Sequence, residues 1–476
     1  MDDLIDAFLR SLRRDAPEAA LLARVGDEDP RRAALEFAEA AQHPDLADHV
    51  ERWVPPLLRS ARPGFGARNL AELATLRQSQ GSPIDLRRTP LLPAVLGASN
   101  FLARRLLTQP TWIDDLAGDP PAAPTRAPEA EWDAIRLTKY RGLLRIAARD
   151  LAGRPFAESL RELADLADRC LAAALACAAL ETGLAPPALF ALGKLGGREL
   201  NFSSDVDLVF VYLRNPASEV LEENQRFAAV IRGFKTGLET PTRDGFGYRV
   251  DLDLRPEGPT GVLANSVEAA LGYYESFGAE WERQMLIRLR AVAGPEDAAT
   301  AFAEGIAPFV YRRLIDPRVM HDVHAMKDRI EDERSRDGRD LNFDLKEGPG
   351  GIRDVEFLTQ SLQLFFGGRH PELRTGNVLD TLVILEDLAL LPADVTRSLS
   401  DAYLWLRRAE HAVQLVEEQQ TARFPSDSQS QIALARRMGY ADAEGSAARD
   451  RLLEDWTAVR NETRAHFDAL VLREDT

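Results

Sequence analysis

The sequence predicts an α+β protein that is mostly helical, with one small sheet region set between helical flanks. Three observations point there. Apolar residues recur at helical spacing through residues 1–116, as in RRAALEFAEAAQ and NLAELATLRQSQ, and again from about residue 297 onward. Only the middle, about 184–296, carries short runs rich in Val, Phe and Tyr beside glycine turns. A Pro/Ala-rich stretch, LAGDPPAAPTRAPEAEW over 116–132, breaks the first helical part from the rest. The expected organisation is an N-terminal helical region over 1–116, a central domain over 132–296 with its sheet core at 184–296, and a C-terminal helical bundle over 297–476.

Taken in order, residues 132–183 read as a long helical stretch ending near ETGLAPP. ALFALGKLGG is a short apolar strand meeting a glycine turn, and RELNF after it can form a short helix. SDVDLVFVYL reads as a buried strand, NQRFAAVIRGFKTGLET as a helix, and GFGYRVDLDLRP as an alternating strand that stops at Pro256. Together they make a βαβ-like unit. RQMLIRLR (283–290) reads as a helix with Arg288 or Arg290 either lining a pocket or facing solvent, and Trp281, Met285 and Ile287 are expected in the core. DLKEGPGGIRDVEF (344–357) is a Pro/Gly turn leading into a helix, and IEDERSRDGRD (330–340) a charged loop or frayed helix end.

Composition narrows the function. Lys and Arg total 59 against 76 Asp and Glu, a formal charge of −17, which argues against a broad nucleic-acid surface but leaves room for a local basic pocket. The two cysteines, Cys170 and Cys177, sit two turns apart on one helix face, too distant to pair, so a buried structural role is expected. The start, MDDLIDAFLRSLRRDAPEAA, lacks a signal peptide's apolar core, and no apolar run of about 18 residues reads as a membrane span. A cytoplasmic protein is expected. His321 and His324 share one helix turn, and His370 and His411 stand alone, so histidine offers little as a metal ligand.

The chemistry concentrates in GKLGGRELNFSSDVDL. Positions two apart on a strand face one side, so Asp205 and Asp207 present both carboxylates together. Such a pair is either a solvated strand end or the seat of a hard divalent cation; Mg²⁺ favours few carboxylates plus phosphate oxygens and water. The glycine turn ahead of it lets backbone N–H groups approach a phosphate, and Lys194 adds a point charge; a tight turn with a surface lysine is the plainer alternative. Ser203 and Ser204 either position phosphate oxygens or cap the turn. On the second strand Arg249, Asp251, Asp253 and Arg255 share a face, giving a third carboxylate for two Mg²⁺ sites and cations for phosphate charge, or else a sheet edge laced with ion pairs. Neither a P-loop nor a dinucleotide fingerprint is present.

GKLGGRELNFSSDVDL followed by RVDLDLRP resembles the nucleotidyltransferase fold, and more narrowly the glutamine synthetase adenylyltransferase/deadenylylase family. VLGASNFLARRLL (95–107), YYESFGAEWERQMLIRLRAVAG (273–294) and LKEGPGGIRDVEFLTQSLQL (345–364) extend the resemblance over about residues 60–420. It implies that 132–296 is a nucleotidyltransferase catalytic domain. It further implies that Asp205, Asp207 and Asp251 are catalytic and bind Mg²⁺; the family pattern carries a basic residue where this chain has Asp253. Gly193, Lys194 and Gly197 would meet nucleotide phosphates, with Ser203, Ser204, Arg249 and Arg255 beside them. The turn Lys346, Gly350, Gly351 and Arg353 is shared with the family, contacting phosphate or only joining domains.

That family carries two nucleotidyltransferase halves in a chain about twice this long. By resemblance, the first removes AMP from a tyrosine of adenylylated glutamine synthetase by phosphorolysis, releasing ADP, and the second attaches AMP from ATP. The LNFSSD wording and helical lead-in match the first half, and no second glycine–aspartate copy occurs, so deadenylylation is the expectation. Adenylylation from ATP, or a regulatory module binding glutamine synthetase and PII-type signal proteins, are the alternatives. ATP, ADP and phosphate are the expected small partners, with neither membrane nor nucleic acid among the partners.

Overall fold

A computed structural model describes residues 1–117, 131–313, 336 and 340–471. Most of the break at 116–132, the charged stretch at 330–340, and His321 and His324 lie outside the described residues. The chain is mostly helical around one small mixed sheet, an α+β architecture.

The sheet comprises β1 (Ala188–Ala191), β2 (Val206–Tyr212), β3 (Val250–Asp251), β4 (Asn265–Ser266) and β5 (Arg290–Ala293). The order is β3-β2-β1-β5, with β4 pairing the far end of β2. β1 runs antiparallel to both β2 and β5, whereas β2 and β3 are parallel and joined through the helix Val220–Glu239, the predicted crossover. Both sheet faces are covered, which explains the unbroken apolar runs. Leu189, Ala191, Val206, Leu208 and Phe210 pack into a large core shared with the N-terminal helices and with Trp132–Leu151 and Phe156–Thr182. Phe190, Val209 and Val211 face the other way, onto Val267–Phe277 and Glu296–Val310. A third core is built by the helices Ile352–Phe366, Val378–Asp387, Ala393–Gln414, Ser428–Arg437 and Gly445–Val471.

Four local expectations are corrected. The stretch 132–183 is two helices, because the turn at 152–155, with Pro155 as the second helix's cap, interrupts it. The helix after the glycine turn forms on Gly193–Gly196 itself, and RELNF is a non-helical segment held by buried polar contacts. The strand expected to reach Pro256 has only two residues, Val250 and Asp251. Beyond them the Asp253 N–H turns back to donate to Asp251 Oδ1 at 2.8 Å, a local side-chain turn that competes with the ladder. The helix read over 283–290 ends at Leu286, and Arg290 opens β5 instead. Cys170 and Cys177 are free and buried, as expected.

Candidate active site

The sheet, the helical bundle and the loop between them enclose a cavity of about 500 Å³. Its floor is Gly193 and Lys194, which open the glycine turn, together with Asp205, Asp207 and Asp251. Parallel register places Asp207 directly beside Asp251, so the two strands bring their carboxylates to one edge. Burial pushes the Asp207 carboxyl up to about 6; Asp251 and Asp205 add repulsion, and Lys346 and Lys194 oppose it. Asp205 accepts from Arg249 Nε at 2.5 Å, and Arg249 Nη2 donates to Ser203 Oγ at 3.2 Å. Among the described residues, no three His, Cys, Asp or Glu side chains are arranged around a common metal position. The pairing of Asp205 with Arg249 draws that carboxylate aside.

Gly193 is the residue that permits this floor. Its φ is +53°, and a Cβ there would stand 2.0 Å from Asp207 Oδ2. Gly197 does something else: its added Cβ would meet the Gly376 carbonyl oxygen at 2.7 Å, so it allows a close approach of the bundle rather than lining the cavity.

The predicted cations divide. Lys194 reaches the cavity but its Nζ pairs with Glu410 Oε1 at 2.7 Å, and burial brings the ammonium down to about 8 against the pull of Glu410. Arg255 is turned away and donates to the carbonyls of Leu252 at 2.8 Å and Pro259 at 2.7 Å, stitching its own loop. Arg288 lines the cavity, bonding Glu356 Oε1 at 3.1 Å, while Arg290 is taken up by Asp168 at 2.8 Å. Ser204 faces the cavity; Ser203 also lines it, and its hydroxyl donates to the Glu418 carbonyl at 3.0 Å.

The turn whose role the sequence left open belongs to the site. Lys346 and Arg353 line the cavity opposite the carboxylates. Arg353 pairs with Glu347, whereas Lys346 makes no side-chain ion pair with any described residue. Its signal was the family turn itself, whose lysine and arginine flank the glycines. Trp281 and Met285, expected in the core, also line the cavity, and Trp281 is 45% exposed. Ile287 is buried. His411 does not stand alone: it is buried 3.4 Å from Asp150 and edge-on to Phe156 and Phe202. His370 faces Glu372 at 3.9 Å.

Paired aspartates at adjoining strand ends, beside a glycine turn and lining one cavity with a lysine, are the arrangement that the resemblance to the nucleotidyltransferase class leads one to expect. Residues 90–305 match the family described as glutamate-ammonia ligase adenylyltransferase, and residues 324–471 match that described as GlnD PII-uridylyltransferase. Similar curated proteins include the bifunctional glutamine synthetase adenylyltransferase/adenylyl-removing enzyme of Nitrosococcus oceani, 36% identical over 411 residues, covering 79% of this chain and 42% of the relative. The protein of the same description from Stenotrophomonas maltophilia strain K279a is 39% identical over 395 residues, covering 78% of this chain and 42% of the relative. Residues 90–305 thus carry a match to the glutamate-ammonia ligase adenylyltransferase family, and the chain spans less than half the length of these relatives. No helix among the described residues is long and apolar enough to cross a membrane.

Proposed function

We propose that this chain removes AMP from an adenylylated tyrosine of glutamine synthetase by phosphorolysis, acting as the first of the family's two catalytic halves. The observation that carries the reading is the single cavity in which Asp205, Asp207 and Asp251 face Lys346 across the Gly193 turn. The names of the relatives, which pair adenylyl transfer with adenylyl removal, support the substrate.

The donor set fits Mg²⁺. All three groups are carboxylates, and burial together with acidic neighbours pushes Asp207 up to about 6, a penalty on the charged form that a divalent cation relieves. Asp207 and Asp251 would hold it, joined by Asp205 once that carboxylate leaves Arg249, and when bound it would shield the charge of the adenylyl phosphate. The residues of the chain do the rest. Lys346 offers an uncommitted ammonium to incoming phosphate, and Gly193 leaves room beside Asp207 for the reacting group. A phosphate oxygen forms the new bond to the adenylyl phosphorus as the bond to the tyrosine oxygen breaks. The departing phenol has a pKa of about 10, a tolerable leaving group, and the proton carried in by hydrogen phosphate ends on it. ADP and the unmodified tyrosine side chain of glutamine synthetase result.

Incubation with adenylylated glutamine synthetase, phosphate and Mg²⁺ tests this by ADP release. AMP incorporation from ATP without ADP formation from phosphate would instead establish the adenylylating reading, which the same carboxylates can serve. A contact with PII-type proteins is the accompanying regulatory reading, supported by the second family match. If the Asp205→Asn, Asp207→Asn double variant kept full turnover, the chain would be a binding module with its chemistry elsewhere.

A further inference from the structure

The motif VLGASNFLARRLL (95–107) lies in the N-terminal helices, and its Ser99, Asn100 and Arg104 do not line the cavity. All three nevertheless hold one loop, residues 415–424, which follows the helix Ala393–Gln414. Ser99 Oγ donates to the Leu415 carbonyl at 2.6 Å, the Phe101 N–H to Val416 O at 3.0 Å, and Asn100 Nδ2 to Glu417 Oε1 at 2.8 Å. Arg104 pairs with the same carboxylate.

Beyond Glu417 the loop reaches both walls of the cavity. On the carboxylate side, the Ser203 N–H donates to Gln414 Oε1 at 3.0 Å and the Ser203 hydroxyl to the Glu418 carbonyl at 3.0 Å. That hydroxyl accepts in turn from Arg249, which holds Asp205. Gln420, Thr421 and Ala422 line the cavity themselves. On the lysine side, the Leu345 N–H donates to Ala422 O at 2.8 Å and the Phe424 N–H to Phe343 O at 2.7 Å, a short antiparallel bridge that ends one residue before Lys346. Gln414 Nε2 donates to Thr421 O at 3.3 Å and closes the loop on itself. Glu418, between the two attachments, has a φ of +53°. A residue other than glycine keeps that conformation where its surroundings over-determine it, and here its carbonyl is held by Ser203 and its carboxylate by Lys139.

We propose that residues 415–424 are a spacer that fixes Lys346 against the aspartates, and that Asn100 and Glu417 are positioning residues acting through it. The inference rests on the reading that phosphate enters between Lys346 and the carboxylates, and it assigns to the N-terminal motif the setting of that gap. A shift of about 1 Å passed along the loop is enough to slow the reaction, because the reacting groups must meet in a narrow geometry.

Phosphorolysis kinetics and amide hydrogen exchange of the full chain test this, with Asn100→Ala and Glu417→Ala cutting the contact from either side. Gln429→Ala is the control: Gln429 Nε2 donates to the Gly26 carbonyl at 2.6 Å, so it too ties the bundle to the N-terminal helices, but not through the loop. Asn100→Ala and Glu417→Ala should each raise KM for phosphate about threefold or more and lower kcat/KM about tenfold, while Gln429→Ala changes neither. A merely less stable enzyme would lose active molecules, which lowers the apparent kcat and leaves KM alone. The amides of Ser203 and Leu345 should exchange about threefold or more faster in both loop variants and at the wild-type rate in the control. Unchanged exchange, an unchanged KM for phosphate in both variants, or the same kinetic change from Gln429→Ala would overturn the assignment. If Asn100→Ala failed to fold, Glu417→Ala, at a partly exposed position on the loop, would decide. Faster exchange in the variants of a chain whose wild type does not phosphorolyse adenylylated glutamine synthetase sinks the phosphorolysis reading and keeps the spacer. Phosphorolysis with exchange unchanged does the reverse.

Discussion

At the scale of single residues, the site concentrates negative charge and clears space for it. Asp207 sits beside Asp251 and is pushed up to about 6 by burial and by its acidic neighbours. Asp207→Asn is therefore expected to cut turnover to about a hundredth or less while stabilising the fold by about 0.5–2 kcal/mol, since a site arranged for function is not arranged for stability. Urea denaturation beside an ADP-release assay checks both signs; a destabilised variant would contradict the crowding account. Gly193→Ala makes the opposite demand, placing a methyl 2.0 Å from Asp207 Oδ2 at a φ of +53°. It should cost about 1–3 kcal/mol and most of the activity. Unchanged kinetics in this variant would show that the turn is not the floor of the site. The Asp-x-Asp pair and the glycine turn were legible because strand alternation and left-handed φ are local properties. That Lys194 would be claimed by Glu410 was not, because the partner lies 216 residues away in sequence.

At the scale of elements, polar contacts decide where helices and strands stop. Alternation in YRVDLDLRP suggested a long strand, yet the Asp251 carboxylate captures the Asp253 N–H and Arg255 captures carbonyls, so the ladder ends after two residues. RELNF stays out of a helix because Glu199 and Asn201 are bonded across to the bundle: Glu199 Oε1 accepts from Val378 N–H at 2.7 Å, and Asn201 Oδ1 from Arg407 Nη2 at 2.9 Å. The helix Ile352–Phe366 docks through Glu356, for which burial is outweighed by Arg288 and Arg407, holding the carboxyl down to about 2. The sign follows from linkage. A folded value below the ordinary 4.5 contributes stability that is complete above that pH and is lost as pH falls from about 4.5 toward 2. Urea midpoints measured at pH 5 and at pH 3 should fall with acid, and Glu356→Gln should flatten that slope. A slope identical in wild type and variant would remove Glu356 from the explanation.

At the scale of the whole molecule, the cavity exists because distant segments converge. The loop after the helix Ala393–Gln414 is fastened to the N-terminal helices by Ser99 Oγ on Leu415 O at 2.6 Å and Asn100 Nδ2 on Glu417 Oε1 at 2.8 Å. Lys139 Nζ meets Glu418 Oε1 at 2.6 Å with both side chains below 8% exposure. Breaking a buried pair leaves an uncompensated charge, so Lys139→Met should cost about 3–5 kcal/mol, and adding Glu418→Leu should recover most of it. Denaturant unfolding of the two singles and the double measures the cycle. Additive losses would show that the two residues act independently.

The sequence alone determined the helical majority, the apolar strands, the crossover helix, the glycine turn and the aspartate pairs, since each follows from spacing within some twenty residues. Tertiary structure alone decided which cation serves which carboxylate, that Lys346, Trp281, Gln284 and Gln360 complete the cavity, and that Gly197 and Arg255 hold structure instead of lining it. The reason is physical. Backbone periodicity is written in neighbouring residues, whereas the pairing of a buried charge or amide depends on which groups burial brings within hydrogen-bond reach, and those come from segments far apart in the chain.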